Sequence, residues 1–357
     1  MYSKSISFCG LVYGASEHHI DHLAPLCALL DIPLVVTEEK LETLVKKYYP
    51  QLVVFYYSYI ETPQKLISNF DAIFTALPSP LFDSIFSLSK KLQKKEILTI
   101  WCPHGNSDKG IHSSYFEALN EEKALIIYGK KMEELFLEKK AIGSQAHLLY
   151  VGNYRAFFYE KHKTLYKKLT EKEIFSKLPN KNPTILYAPT WEDDKDQISL
   201  NYALKFLLEH IPEHLNLIIK LHPNTCSKED VKLMHLLLKY ETKKNVLILE
   251  DFPLIYPLLS CVDFFIGDTS SIGYDFLYFN KPMFFLKKKS SSLKLPLHRC
   301  GKIFDEEHLQ DLLEEIEFGA DEPELTQIRK KLYDFTFYSY DPSIDLINTL
   351  TKLYKSL

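Results

Sequence analysis

Glycine is scarce in this chain, with 11 in 357 residues and no Gly-x-Gly-x-x-Gly run. A dinucleotide site uses such glycines to bring the backbone against a pyrophosphate, so a nicotinamide or flavin enzyme is not expected. No Walker sequence is present, which removes P-loop ATP chemistry, and no Gly-x-Ser-x-Gly elbow points to a hydrolase. The six cysteines (Cys9, Cys27, Cys102, Cys226, Cys261 and Cys300) contain no Cys-x-x-Cys pair. That pattern speaks for reduced thiols in a cytosolic protein, and against zinc or a disulfide framework. No run reaches the roughly 20 apolar residues of a membrane span. The first residues, MYSKSISFCGLVYG, lack the extended apolar core of a secretory leader. Positive charge is not in excess: the formal net charge is −4, which gives no electrostatic reason to expect nucleic acid. A cytoplasmic location follows as the expectation.

What is present is apolar and alternating. Hydrophobic residues make up 46% and charged residues 25%, the balance of a globular chain with large cores, and the length suits two domains. Short apolar runs read as strands at Ser7–Val12, Pro33–Thr37, Leu52–Tyr57, Ala72–Ala76, Ile97–Trp101, Leu125–Tyr128 and His147–Val151. Amphipathic stretches such as Glu39–Tyr48 and Lys130–Lys139 lie between them. A Lys-rich helical stretch from Ala156 to Asn182 then marks a boundary. A second series follows at Thr184–Tyr187, Leu215–Leu221, Val246–Leu249, Phe264–Ile266 and Met283–Leu286. Strands alternating with helices imply parallel sheets covered on both faces. The fold class expected is α/β, with two Rossmann-like domains facing across a cleft. Residues 1–165 form the first, 166–330 the second, and 331–357 a helical end that crosses back to the first. The lysine clusters at Lys90–Lys95, Lys161–Lys168 and Lys287–Lys289 read as solvated faces, with a peripheral contact to anionic lipid as the minority reading.

Open α/β sheets place their chemistry beyond the carboxyl ends of the strands, and four polar clusters stand there. The first, WCPHGNSDK from Trp101 to Lys109, holds His104, whose ordinary pKa near 6.5 suits a general base. Gly105 permits close backbone approach beside it, and Lys109 lies five residues on. The second, ILYAPTWEDD, ends a strand at Pro189 and offers Thr190. Its acids Glu192, Asp193 and Asp194 have no further ligand at metal spacing and read as solvated loop charge. The third sets His222 at the tip of a strand in IIKLHPN. The fourth, DTSSIGYDF, gathers Thr269, Ser270 and Ser271 at the start of a helix read over Ile272–Phe279, with Asp275 in its first turns. Unsatisfied N–H groups and the helix dipole favour an anion there, while the plainer reading makes Ser270 or Ser271 a helix cap.

In this order, His-Gly-x-x-x-Lys, Tyr-Ala-Pro-Thr-Trp-x-Asp-Asp, a strand ending in His-Pro, and Asp-x-Ser-Ser followed by Asp-Phe and Asn-Lys-Pro resemble the CDP-glycerol glycerophosphotransferase family. The family comprises polymerases and primases of teichoic-acid synthesis with a GT-B fold, and the resemblance spans Ile97 to Leu286. It implies a transferase that moves a phospho-alcohol group from a CDP-linked donor to a hydroxyl-bearing acceptor; a lipid-linked acceptor is one form this could take, and no metal or cofactor is expected. By the same resemblance His104 is the acceptor base and His222 contacts the donor phosphates. Thr269, Ser270, Ser271 and Asp275 surround the pyrophosphate. Glu250, Asp251, Phe252 and Pro253 form the base loop by position, and Gly105, Lys109 and Thr190 lie on the acceptor side. Asn106 stands where the family has threonine, and Glu192 where it has a basic residue. His-Pro with a Ser-Ser turn is also similar to transferases of CMP-activated sugars. A glycosyltransferase using a CMP- or UDP-sugar, or a GT-B relic that binds nucleotide without turning it over, are the other readings.

Overall fold

The computed structural model describes residues 6–83, 87, 91, 94–106, 115–179, 182–190, 199–221, 231–249, 252–291 and 295–356. The described residues fall into two compact units. One holds residues 6–106, 115–158 and 335–356, the other residues 159–334.

The first unit is built on a seven-stranded sheet in the order β3-β2-β1-β4-β5-β6-β7, parallel throughout. Its strands are β1 (Phe8–Val12), β2 (Leu34–Val36), β3 (Val54–Tyr56), β4 (Ala72–Thr75), β5 (Leu98–Trp101), β6 (Ala124–Ile127) and β7 (His147–Tyr150). The second unit carries six parallel strands in the order β10-β9-β8-β11-β12-β13. These are β8 (Thr184–Ala188), β9 (Asn216–Ile219), β10 (Val246–Ile248), β11 (Phe264–Gly267), β12 (Met283–Leu286) and β13 (Lys302–Phe304). Helices cover both faces of such sheets, so the central strands read as unbroken apolar runs: β1, β5, β6, β8, β9 and β12 are buried at every position. All twelve strands expected from sequence are present, each within a residue or two. The thirteenth, β13, was not foreseen, because this edge strand has only three residues and leaves Ile303 half-exposed.

In both sheets the order reverses beside the first strand of the unit, between β1 and β4 in one and between β8 and β11 in the other. At such a reversal the connections leave to opposite faces and a crevice opens at the carboxyl ends of the strands. The structure therefore supplies one switch point in each unit.

The end of the chain belongs to the first unit. Tyr338 donates its N–H to the Tyr128 carbonyl at 2.8 Å, and its own carbonyl accepts the Asn153 N–H at 2.8 Å. Glycine is needed at two places along this track. A Cβ on Gly129 would lie 2.3 Å from the Thr336 carbonyl oxygen, and one on Gly152, which has φ +73°, 2.4 Å from that of Tyr338. The helix expected over Ile272–Phe279 is α-helical only over Ile272–Phe276 and continues as a 3-10 turn, Leu277–Phe279. Asn280 ends it in the left-handed conformation at φ 50°, and its side-chain oxygen accepts a hydrogen bond from the buried Arg329 at 2.9 Å. Lys281 then donates to the carbonyls of Ser260 and Val262, at the end of the preceding helix Ile255–Cys261. The Asn-Lys-Pro motif is accordingly structural.

Candidate functional site

At the switch point of the second unit, Asp268 follows β11 and is buried (2% exposed). Its carboxylate accepts four hydrogen bonds from three chain segments. Thr190 N–H reaches Oδ1 at 2.9 Å and Thr269 N–H reaches it at 2.7 Å, while Ser199 gives Oδ2 its N–H at 3.1 Å and its hydroxyl at 2.8 Å. Burial pushes the Asp268 pKa above the ordinary carboxylate value, and these donors pull it back. His298 Nε2 donates to the Asp268 carbonyl at 3.0 Å, so a fourth segment is tied to the same residue. The turn after β11 is thereby held from four sides by polar contacts with little access to water.

That scaffold presents Thr269. The residue is 7% exposed, and its hydroxyl has no hydrogen-bond partner among the described residues. An unmatched buried hydroxyl costs about 1–3 kcal/mol, a cost that a bound acceptor would remove. Ser270 and Ser271 follow, both part-exposed. The capping reading is weak here. Ser271 makes no side-chain cap, and Ser270 Oγ accepts the Ile272 N–H only at 3.4 Å. A single α-turn carries a smaller dipole than the two-turn helix expected, so an anion here depends on the Asp268-held turn more than on the helix. Asp275 is buried one turn on and accepts from Tyr256 OH at 3.3 Å.

Thr190 was placed on the acceptor side with Gly105 and Lys109. It lies in the second unit, where its N–H donates to Asp268 beside the phosphate-site candidates. In the base loop, Phe252 and Pro253 are buried, and the Phe252 carbonyl accepts Lys220 Nζ at 2.8 Å, so that ring belongs to the core. His222, Lys109, Glu250, Asp251 and the acids Glu192, Asp193 and Asp194 lie outside the described residues.

His104 stands after β5 in the first unit, followed by Gly105 at φ 136°, a conformation that favours glycine. Sequence reasoning missed its surroundings. The helix α1 (Glu17–Leu30) begins just after β1 with His18, His19 and His22, and its first turn has no side-chain cap. The His19 ring centroid lies 4.3 Å from that of His18 and 5.2 Å from that of His104, and His18 is 6.2 Å from His104. Tyr128 joins the two segments. Its hydroxyl donates to the Pro103 carbonyl at 3.0 Å and so accepts from His22 Nδ1, also at 3.0 Å. Tyr154 OH donates to the His22 carbonyl at 2.8 Å, and Arg155 pairs with Asp21. The available signal was three histidines in five residues after the first strand, a fifth polar cluster at a strand's carboxyl end.

The His104 ring is part-exposed, yet the protein packed around it prevails and holds its pKa down to about 4. Burial also lowers His19 and His22 well below the usual value, reinforced at His19 by the neighbouring imidazoles and at His22 by Arg155 and then by those imidazoles. All three are neutral at pH 7. Among the described residues no group of His, Cys, Asp or Glu has the arrangement of a metal site, and no helix is long and apolar enough to cross a membrane.

Residues 156–291 match the family model described as CDP-Glycerol:Poly(glycerophosphate) glycerophosphotransferase. The teichoic acid glycerol-phosphate primase of Bacillus subtilis (strain 168) is 30% identical over 102 residues, which is 28% of this chain and 24% of the primase. The match thus spans about a quarter of that relative's length. The wall teichoic acid polymerase TagF superposes with a TM-score of 0.64 at 14% identity, covering 99% of this chain and 89% of that one. TagF soaked with CDPG gives 0.63 at 13% identity, covering 98% and 88%. Anabaena Alr3699/HepE in complex with UDP-glucose gives 0.53 at 12% identity, covering 99% and 100%. The fold is of the GT-B type, with two Rossmann-like units.

Two outcomes follow from this geometry. Thr269→Val keeps the shape and removes only the hydroxyl. Unfolding by urea should show stability unchanged or raised by about 1 kcal/mol, while affinity for CDP falls roughly tenfold, as for one lost hydrogen bond to a charged group. A destabilised variant with full CDP affinity would make Thr269 structural. The second concerns pH. Unfolded imidazoles protonate near 6.5, whereas folded His104 does so near 4, so its stability contribution is present above pH 6.5 and lost as pH falls through that window. Between pH 7 and pH 5 His104 alone should cost about 1–2 kcal/mol, allowing for its partial exposure, with His19 and His22 acting in the same direction. Urea titrations of the wild type and His104→Asn at both pH values test this, and an unchanged pH slope in the variant would contradict it.

Proposed function

We infer that this chain, whose residues 156–291 match the CDP-glycerol glycerophosphotransferase model, acts as a member of that family and transfers a glycerol-phosphate-type group from a CDP-activated donor to a hydroxyl in cell-wall polymer synthesis. The observation that carries the reading is the turn after β11. It sits at a switch point, it is fixed by the buried Asp268 carboxylate, and it presents a buried hydroxyl with no partner among the described residues. Thr269, Ser270 and Ser271 supply hydroxyl and backbone donors of the kind that bind a pyrophosphate, and His222 is assigned to the same phosphates.

In this reading the acceptor oxygen attacks the phosphorus distal to the cytidine. A phosphodiester forms, the bond to the bridging oxygen breaks, and CMP leaves. His104 takes the acceptor proton. Its neutrality at pH 7 leaves a lone pair available, though burial, by holding its pKa near 4, makes it a weak base on its own. Negative charge on a bound donor or acceptor favours the imidazolium and so strengthens that base. Donors at the β11 turn stabilise the charge gathering on the departing phosphate, an electrostatic contribution of the kind that dominates many such reactions. The acceptor is lipid-linked in this account, and contact with the inner face of the membrane would bring the protein to it.

The test is product analysis with CDP-glycerol and a hydroxyl acceptor. CMP release with a new phosphodiester, seen by 31P NMR, is the expected result, and a glycosidic product from a sugar nucleotide would overturn it. His104→Ala should lower turnover by about 10²–10⁴ with little change in thermal stabilisation by CDP. Loss of CDP binding in that variant would move His104 to the donor phosphates.

A further inference from the structure

The mechanism above uses His104 alone, yet that residue stands in a cluster. Two segments meet at the switch point of the first sheet: the start of α1, beyond the carboxyl end of β1, and the loop beyond β5. Only β4 separates the two strands in the sheet. Both segments bring donors that are unmatched among the described residues. His19 is 4% exposed, and no hydrogen bond engages its ring among the described residues; its neighbours there are the rings of His18 and His104. Asn106, two residues after His104, is 5% exposed, and its amide nitrogen has no partner among the described residues.

The local charge balance favours an anion. The charges that act on His19 come from His18 and His104, with no carboxylate among them. His22 faces the same group from α1, and the guanidinium near it, Arg155, is matched by Asp21. Three imidazoles crowded together repel one another's protons, and an oxyanion placed among them would reverse that penalty. Rigidity is already supplied: Tyr128 ties His22 to Pro103, and Tyr154 OH fixes the His22 carbonyl.

We propose that His18, His19 and Asn106 form a phosphate-binding pocket beside His104, which holds the phosphate of the acceptor while His104 receives the proton of the acceptor's hydroxyl. The proposal rests on the reading of His104 as the acceptor base, and it adds the residues that would meet the phosphate beside the free hydroxyl of a glycerol-phosphate terminus. Ring centroids 5.2 Å apart allow one imidazole to meet the phosphate and the next to meet the hydroxyl of one small terminus. A phosphate could also come from the donor, so the test separates the two sources.

Imidazole resonances of the wild-type protein are followed by long-range 1H–15N NMR during titration with glycerol 3-phosphate, glycerol or CDP. Glycerol 3-phosphate should shift His19 and His104 and raise their protonation midpoints by about one pH unit or more, while glycerol does neither. His19→Asn should weaken glycerol 3-phosphate roughly 10- to 100-fold and leave thermal stabilisation by CDP unchanged. Asn106→Ala should weaken it in the same direction, and urea unfolding confirms that each variant folds. Unmoved His19 and His104 resonances in the wild type would overturn the pocket even if the variants fail to fold. CDP moving His19 while glycerol 3-phosphate does not would overturn its assignment to the acceptor. Glycerol 3-phosphate binding without any stabilisation by CDP would uphold the pocket and sink the donor reading instead.

Discussion

One buried carboxylate organises the second unit's site. Asp268 gathers N–H and hydroxyl donors from Thr190, Ser199 and Thr269, residues that lie up to 78 positions away in the chain. Burying a charge is costly unless hydrogen bonds replace its water, and here four of them do so. The constraint also acts outward. With the carboxylate consuming the backbone donors of Thr190 and Thr269, the Thr269 side chain is left buried without a partner among the described residues. The surroundings over-determine the turn, and the turn offers what they do not use. This is the pattern expected of a site pre-organised for a ligand.

The two units apply the same topology to different chemistry. Each is a parallel sheet whose order reverses once beside its first strand, and each collects polar residues at that reversal. In the second unit the collection is a hydroxyl-bearing turn fixed by a buried acid, suited to the phosphates of a nucleotide donor. In the first it is imidazoles held neutral by burial and mutual repulsion. Each group at the first switch point is individually weak as a base at neutral pH. Together they form an environment whose proton affinity rises when negative charge arrives.

Much of the fold was legible in sequence for a specific reason. Parallel strands covered on both faces are continuous apolar runs, so β1, β5 and β8 declare themselves. β13 does not, because a three-residue edge strand with a lysine and a half-exposed isoleucine lacks that run. The motifs placed His104 and the Thr269–Ser271 turn at strand ends, where the structure has them. The partners of those residues were beyond reach. Asp268 looks like an ordinary turn residue until sheet order brings Thr190 and Ser199 to it. His19 and His104 are 85 positions apart and meet only because β1, β4 and β5 are neighbours. Motif order likewise says nothing of which strands adjoin, so the bond from Thr190 to Asp268 was not legible. The Asn-Lys-Pro break counts among the motifs of the resemblance, and Arg329 with the Lys281 contacts gives it a structural role that the motif alone does not disclose.

If the Asp268 carboxylate builds the phosphate-binding turn, calorimetric titration of Asp268→Asn with CDP will show it, because the amide keeps the side chain's size but replaces an acceptor oxygen with a donor facing Ser199 or Thr190. Affinity should fall at least roughly tenfold, through the loss of more than one charge-assisted hydrogen bond from the scaffold. A folded Asp268→Asn protein that binds CDP as tightly as the wild type would contradict it.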